Sequence, residues 1–473
     1  MTSRLGPRGW LLERWGRRFG NPEAAPRARD GWLIAALALA LRVPVVAYAA
    51  SRFPPADDGS FYHVVAGRIA RGLGYTWSWP DGAVTYAAHY PVGYPALIGA
   101  AYALLGARPG VAMALNAFIG AAAALSAHAL AGRLANRRGA VVSGLLVALE
   151  PALVLYTAAL MTEAVVGELV LVAAACATAE RPRFWLRGLL TGALLGLCLL
   201  IRPQLLLIAP FVGALLVWRD RSLRAALRAA LGVTSLAVLL CLPWTFRNCL
   251  RLDTCAFVSA NGGWNLYIGS SPVGEGGWAP LEQIGVPREC RTVFGEGEKD
   301  RCFGRAGLRG VLGHPAAWLG LVPKKLAVTF DYGTAAAHYL AASNPALVSD
   351  EIKLEIGAAE LLGQRVLLVV AVLALGFSPG PRARLRRRLA PLGGILSLVP
   401  FAWVAWLVFA VEGALLGRTL LSRPSALLAV ALVAATAVTH AVFFGAGRYA
   451  LVCLPALGAV AGMLFARPAS APD

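Results

Sequence analysis

Apolar stretches recur along most of the chain, and many are long enough, or nearly so, to cross a bilayer as a helix. The first runs roughly from Trp32 to Ala50, and others cover about 110–131, 140–159, 163–179, 185–201, 203–218 and 225–243. After a long polar interval they resume near 363–378, 391–411, 424–443 and 449–466. Two intervals break the pattern. Residues 51–108 are semi-polar and rich in Tyr, Trp, Gly and Pro; within them "YPALIGAAYALLG" is short for a span and reads as an interfacial helix. Residues 244–360 form the longest polar stretch. The pattern predicts an all-α polytopic membrane protein divided into a basic N-terminus (1–31), a first membrane core (32–243) carrying loop 51–108, a long loop (244–360), a second set of spans (361–466) and a tail (467–473).

Composition agrees, since 58% of the 473 residues are hydrophobic and only 15% charged, whereas soluble domains are nearer a quarter charged. The net charge of +19 is spread over short stretches between apolar runs: the first thirty residues, "GRLANRRG", "ERPRFWLR", "WRDRSLRAALR" and "PGPRARLRRRL". That is the distribution of cytoplasmic loops under the positive-inside rule, and no nucleic-acid-binding module accompanies it. It places both polar intervals on the outer side of the membrane. "AYA" at 47–49 resembles a signal cleavage site, but the long basic region before it, Arg42 within it and the many later spans favour a retained helix. Cys249, Cys255, Cys290 and Cys302 fall in the long outer loop; bridges 249–255 and 290–302 fit the spacing, although four cysteines allow three pairings.

The residues that could carry chemistry cluster at the outer ends of spans. In "PPADDGSFYHVVAGRIARGLGY", Phe61, Tyr62, Val65 and Ile69 recur at helical spacing, so a helix is expected to begin at Asp58. One of the paired Asp57 and Asp58 is expected to cap it, and the other is then a candidate general base. "YAAHYPVGYPAL" supplies His89, Tyr90 and Tyr94 in a proline-stiffened turn. "LMTEAVVGELV" puts Glu163 at the rim of a span and Glu168 deeper, where ionisable groups are functional candidates. Arg202 in "LLIRPQLLL", Arg247 and Asn248 in "LPWTFRNCL", and Arg448 beside Tyr449 in "GAGRYALV" are candidates to hold a phosphate. The glycines after Asn261 in "SANGGWN" offer backbone N–H groups to an anion. Singly, each has an ordinary explanation as a cap, an interface anchor, a snorkelling arginine or a turn.

In this order the segments resemble the GT-C superfamily of integral-membrane glycosyltransferases, especially bacterial relatives of the protein O-mannosyltransferases and lipid A aminoarabinose transferases. The resemblance lies in Asp58 followed four residues on by Tyr62, then "ARGLGY", "PVGYPALIGA", "TE" at 162–163, "GALLGLCLLIRP", "PWTFRN", "SANGGWNLYIGSSP" and the final "GRY". It implies a GT-C-like bundle of roughly 11–13 transmembrane helices, with interfacial helices in the first outer loop. It further implies a polyprenyl-phosphate-linked sugar donor, a lipid, glycan or protein acceptor, and inversion at the sugar carbon. Asp58, by its four-residue step to Tyr62, would be the catalytic base, with Asp57 second and otherwise expected to cap the helix. Arg202, Arg247, Asn248, Asn261, Arg448 and Tyr449 would hold the donor, with Tyr62, His89, Tyr90, Tyr94 and Glu163 lining the pocket. No cofactor is required; His89 and Glu163 are the ligand types on which a divalent metal would have to rest. The aminoarabinose transferases carry an acidic residue and a lysine where this chain has His89 and Tyr90, which argues against that exact activity.

Two questions pass to the structure. Counting spans after residue 360 puts Arg448 on the cytoplasmic side, against the family pattern, unless residues 391–423 make two short passes or a re-entrant hairpin. The second concerns the rival readings, a transporter, a lipid-linked-glycan flippase or an O-antigen-ligase-like enzyme. Convergence of Asp58, Glu163, Arg202 and Arg247 on one outer cavity supports transfer chemistry, whereas a central cavity supports transport.

Overall fold

The computed structural model describes residues 24–465 except 221 and 253, so the first part of the basic N-terminus and the whole of the tail lie outside the described residues. Among the described residues, seven helices are long and apolar enough to cross a membrane: α1 (Ala28–Ala49), α4 (Pro109–Ala131), α7 (Phe184–Ile201), α8 (Leu223–Arg251), α13 (Asp350–Gly376), α16 (Pro424–Val442) and α17 (Gly447–Phe465). An eighth crossing is a pair bent by 48°, α5 (Arg137–Leu149) with the turn Pro151–Ala158. Four shorter passes complete the bundle: α6 (Glu163–Thr178), an irregular stretch over 203–217, α14 (Ala383–Ser397) and α15 (Ala402–Leu415). The protein is therefore an all-α, multi-pass membrane protein.

Local signals set several boundaries. Pro109 sits at the start of α4, where its missing N–H costs nothing. Asn136 and Ser222 cap α5 and α8 by accepting from the N–H groups of Gly139 and Ala225. Ser349 caps α13, with Asp350 and Glu351 in the first turn favourable to the helix dipole. Helix α8 continues through Pro243 to Arg251, and α13 begins thirteen residues before the apolar run at 363 because its first turns are polar.

Helices approach closely where glycine permits it. A Cβ on Gly167 of α6 would lie 2.4 Å from the carbonyl oxygen of Val452 in α17. Arg42 of α1 ties three helices together: its Nη1 donates to the carbonyls of Ala38 and Ala148, and its Nη2 lies 3.8 Å from Glu168 of α6. Glu168 is thus the counter-charge of a buried arginine at mid-depth.

The loop-rich face holds α2 (Asp58–Ala70), a hairpin of β1 (Thr76–Ser78) and β2 (Val84–Tyr86), α3 (Gly93–Leu105), α9 (Gly262–Ser270), α10 (Glu296–Gly313), α11 (Val322–Phe330) and α12 (Ala335–Ser343). Helix α3, which covers the short apolar stretch of this interval, packs along α2. Cysteines pair 249–255 and 290–302, one of the three pairings the sequence left open.

The apolar run at 391–411 is not one span. It is divided between α14 and α15, which form a hairpin turning at 398–401. Arg386 near the start of α14 donates to Leu375 at the end of α13, while Arg365 within α13 reaches the carbonyls of Ser397 and Val399 at the turn. Helix α14 thus runs antiparallel to α13, and α15 returns, adding the pass that the hydropathy count lacked. Its tip lies on the loop-rich face, where Asp331 accepts from the Trp403 N–H. The extra pass puts Arg448 on that face. Accordingly, cysteines introduced as Pro400→Cys and Trp79→Cys should label with a membrane-impermeant maleimide from one side of the membrane, and Arg384→Cys only from the other. Labelling of Pro400→Cys and Arg384→Cys from the same side would refute the hairpin.

Candidate active site

A cavity of about 590 Å³ opens on the loop-rich face, where the ends of α6, α7 and α16 meet α2, the 84–92 loop and α9. Its wall includes Asp58, Tyr62, His89, Tyr90, Glu163, Arg202, Asn261, Arg448 and Tyr449, so most of the residues singled out in the sequence meet at one place. A smaller notch shares Arg202, Gln204, His440 and Tyr449 with it and continues past Leu205, Ile208, Leu432 and Ala435 between the 203–208 stretch and α16.

The polar floor of this cavity is a chain of charges. Glu163, at the first position of α6, lies 2.9 Å from Arg202 Nη1 and 3.3 Å from Arg448 Nε, and accepts from the Tyr156 hydroxyl at 2.8 Å. Arg448 Nη1 also lies 2.9 Å from Asp58 Oδ2 and donates to the Tyr339 hydroxyl. Asp58 Oδ1 accepts from the Tyr90 hydroxyl at 2.7 Å. Tyr449 has the guanidinium carbons of Arg202 and Arg448 at 5.2 and 5.4 Å from its ring centre and stacks on His440 at 3.9 Å. Two cations thus lie within one cavity, balanced by Glu163 and shared with Asp58.

Helix α2 begins at Asp58, as its apolar spacing predicted, but Asp57 does not cap it through its side chain. The first N–H groups are met by backbone carbonyls, Gly59 to Ala56 and Ser60 to Asp57. Asp57 itself adopts φ 49°, in the left-handed region unusual for a non-glycine residue, and its carboxylate lies 3.8 Å from His338 Nε2. That turn aims the two aspartates apart, Asp58 inward and Asp57 toward solvent.

Three expected ligands have other work. Arg247 does not line the cavity; it donates to the carbonyls of Tyr75 and Ala87 and lies over the Trp244 ring. It clamps the 75–87 segment from behind, having entered the phosphate list only because it followed a span. Asn248 is fully buried and bonds the carbonyls of Ala256 and Val258 beside the first disulfide. Tyr94 is buried, donating to Asn116 Oδ1 beneath Tyr62. The glycine-rich start of α9 is not an open anion cradle either, because Asp300 from α10 accepts from the Trp264 N–H there. Asn261 remains at the cavity wall.

The sequence reading missed Tyr156, Tyr339, Glu296 and Asp300. Glu296 accepts from the N–H groups of Ala88 and His89, holding the loop that presents Tyr90. None of the four sits in a recognisable pattern, since each acts across 7 to 208 residues of sequence. Burial holds the His89 imidazole below its ordinary pKa despite the Asp58 charge. Burial raises the Tyr90 hydroxyl, and the charge and hydrogen bond of Asp58 raise it further, so Tyr90 serves as a donor to the carboxylate. Among the described residues no group of three or more His, Cys, Asp or Glu is placed to hold a metal ion, and Glu163 is already engaged by two arginines.

No family model matches the chain, and no curated protein sequence matches it. Among solved structures, the archaeal oligosaccharyltransferase AglB from Archaeoglobus fulgidus, in complex with an inhibitory peptide and a dolichol-phosphate, is similar at 15% identity over 95% of this chain with a TM-score of 0.47. This chain spans about half of the AglB chain (50%). ArnT from Cupriavidus metallidurans is similar in its apo state (16% identity, 92% of this chain, 78% of that one, TM-score 0.39). It is also similar when bound to undecaprenyl phosphate (16%, 91%, 77%, 0.41). At these scores the likeness says nothing about chemistry.

The charge chain makes a stability prediction. Removing one partner of a buried ion pair strands the other, and Glu163 is the carboxylate paired with Arg202, so Glu163→Gln should destabilise the protein by about 3 kcal/mol. Glu163→Gln combined with Arg202→Gln should cost less than Glu163→Gln alone. Thermal unfolding of the purified variants in detergent reads both; equal melting temperatures for wild type and Glu163→Gln would show the pair to be energetically idle.

Proposed function

We propose that this chain is a GT-C-type glycosyltransferase that moves a sugar from a polyprenyl-phosphate donor to an acceptor at the outer face of a bacterial inner membrane, with inversion. The observation that carries this reading is the meeting of Asp58, Glu163, Arg202 and Arg448 in one cavity at the membrane rim. It adds to the ordered motif resemblance, whose Asp58–Tyr62 step and Arg448–Tyr449 pair both fall on the cavity wall. The polar groups lie at one end of the bundle, which favours transfer over alternating access. Basic loops cluster on the opposite face, at 133–138, 181–187, 219–228 and 382–388, and the two disulfides lie on the cavity face. Both support an outward-facing site in an oxidising compartment.

The chemistry follows from the geometry. The donor phosphate sits against Arg202 and Arg448, with the isoprenoid tail directed along the apolar notch beside Leu205 and Ile208. The acceptor oxygen attacks the sugar carbon from the Asp58 side as the carbon–oxygen bond to phosphate breaks. The acceptor proton passes to Asp58, and the charge gathering on the leaving phosphate is met by the two guanidiniums. A polyprenyl phosphate leaves without a strong general acid. Tyr90 orients the base, with Tyr62 packed edge-on against the Tyr90 ring, and Trp264 and Trp278, also on the wall, offer rings on which a sugar can lie.

The test is transfer by membranes carrying wild type or Asp58→Asn with a panel of polyprenyl-phosphate hexoses and pentoses. Asn keeps the size of the side chain and cannot accept the proton. A loss of about 10²–10⁴-fold with normal accumulation is expected. Full activity in Asp58→Asn would remove Asp58 from the mechanism. Arg448→Gln should raise the donor requirement as well as slow turnover, because it touches both base and phosphate.

A further inference from the structure

A second cavity, of about 400 Å³, lies far from the first, on the membrane flank between α7, the 215–217 turn and α8. Its α8 wall is a helical ladder, Ala225, Arg228, Ala229, Gly232, Val233 and Leu236. Apart from Arg228 the lining is apolar or glycine. The neighbouring Trp185, Leu227 and Leu231 are 62%, 60% and 70% exposed, so the groove opens sideways toward the bilayer. Arg228 stands toward the basic end, its Nε donating to the Arg224 carbonyl at 3.4 Å, and Leu236 stands toward the bundle centre. From 225 to 236 the groove is about 16 Å long at 1.5 Å per residue, close to half of a hydrocarbon core of about 30 Å.

The glycines in this region separate into two kinds. A Cβ on Gly192, Gly196 or Gly213 would press on Leu236, Leu240 or Ala230, so those glycines let helices touch. A Cβ on Gly232 would meet nothing within 4 Å. Glycine inside a helix is destabilising relative to alanine, and here no protein neighbour requires it. It keeps a space open. A space one leaflet long, with a cation at its headgroup end and an apolar wall below, has the shape and polarity of a phospholipid.

We propose that this groove binds one anionic phospholipid of the leaflet on the basic face, with its phosphate at Arg228 and an acyl chain along Gly232 and Leu236. The site is independent of the transferase reading. Full-length protein would be purified from membranes, exchanged into equal phosphatidylglycerol and phosphatidylcholine, and examined by native mass spectrometry. Wild type should retain one phosphatidylglycerol at least about tenfold over phosphatidylcholine. Arg228→Gln should abolish the preference, and Gly232→Leu, which fills open space without a clash, should abolish retention. Arg384→Gln, on the same face but away from the groove, should change neither. Equal retention of both lipids by wild type, or unchanged retention in Gly232→Leu, overturns the proposal. So does a wild-type dimer that Gly232→Leu dissociates, which would make a second copy of the chain the occupant.

Discussion

The arrangement at the cavity depends on one buried contact, the grip of Glu163 on Arg202 and Arg448. Three segments far apart in sequence meet there: the start of α6, the break after α7 and the start of α17. Burying such charges is expensive, and a well-packed apolar triad would often be as stable or more so. Stability alone does not account for the cluster. What it does supply is fixed position: two guanidiniums held at set places on a cavity wall, with their excess charge directed toward Asp58 and the open side.

Holding those charges at the rim shapes the backbone around them. Each ionic residue sits where a span stops, at 159–162, at 202–203 and at 443–447, because a continuous helix would carry the side chain on into the bilayer. Irregular backbone at such depth is tolerated only where protein meets its polar groups. The long loop does this at the last break: the Gly445 N–H donates to the Gly276 carbonyl, and a Cβ on Gly447 would collide with the Tyr332 carbonyl. Lys325 of α11 reaches the carbonyls of Ala441 and Val442 that the end of α16 leaves open. The long loop is thus a structural partner of the span ends as well as a roof over the cavity.

How much of this was legible in the sequence follows from the range over which each signal acts. Hydropathy and helical spacing are local, and they found the spans before residue 360 and the start of α2 at Asp58. The same signal merged α14 with α15, because the four residues of the turn, Leu398 to Phe401, are themselves apolar. Arginine next to a span is equally local and cannot tell Arg448, which faces the cavity, from Arg247, which faces backward into the loop. That difference is made by carbonyls at Tyr75 and Ala87, more than 150 residues away. The glycines after Asn261 were read as an anion cradle for the same reason: their occupant, Asp300, comes from another helix. Local patterns located the site, and tertiary partners decided which of its residues point inward.

The shared arginine has one further consequence on the proposed reading. Both carboxylate oxygens of Asp58 are engaged, Oδ1 by Tyr90 and Oδ2 by Arg448. While Arg448 holds Oδ2, that oxygen is occupied and not open to an acceptor proton. A donor phosphate offers Arg448 a competing anion with more acceptor oxygens and greater charge. As the guanidinium shifts its hydrogen bonds toward the phosphate, Oδ2 regains a free lone pair. Asp58 is therefore open to the acceptor when donor is bound and occupied when it is not. Glu163, bonded to Arg448 through Nε rather than Nη1, keeps the guanidinium in reach of both partners during that exchange.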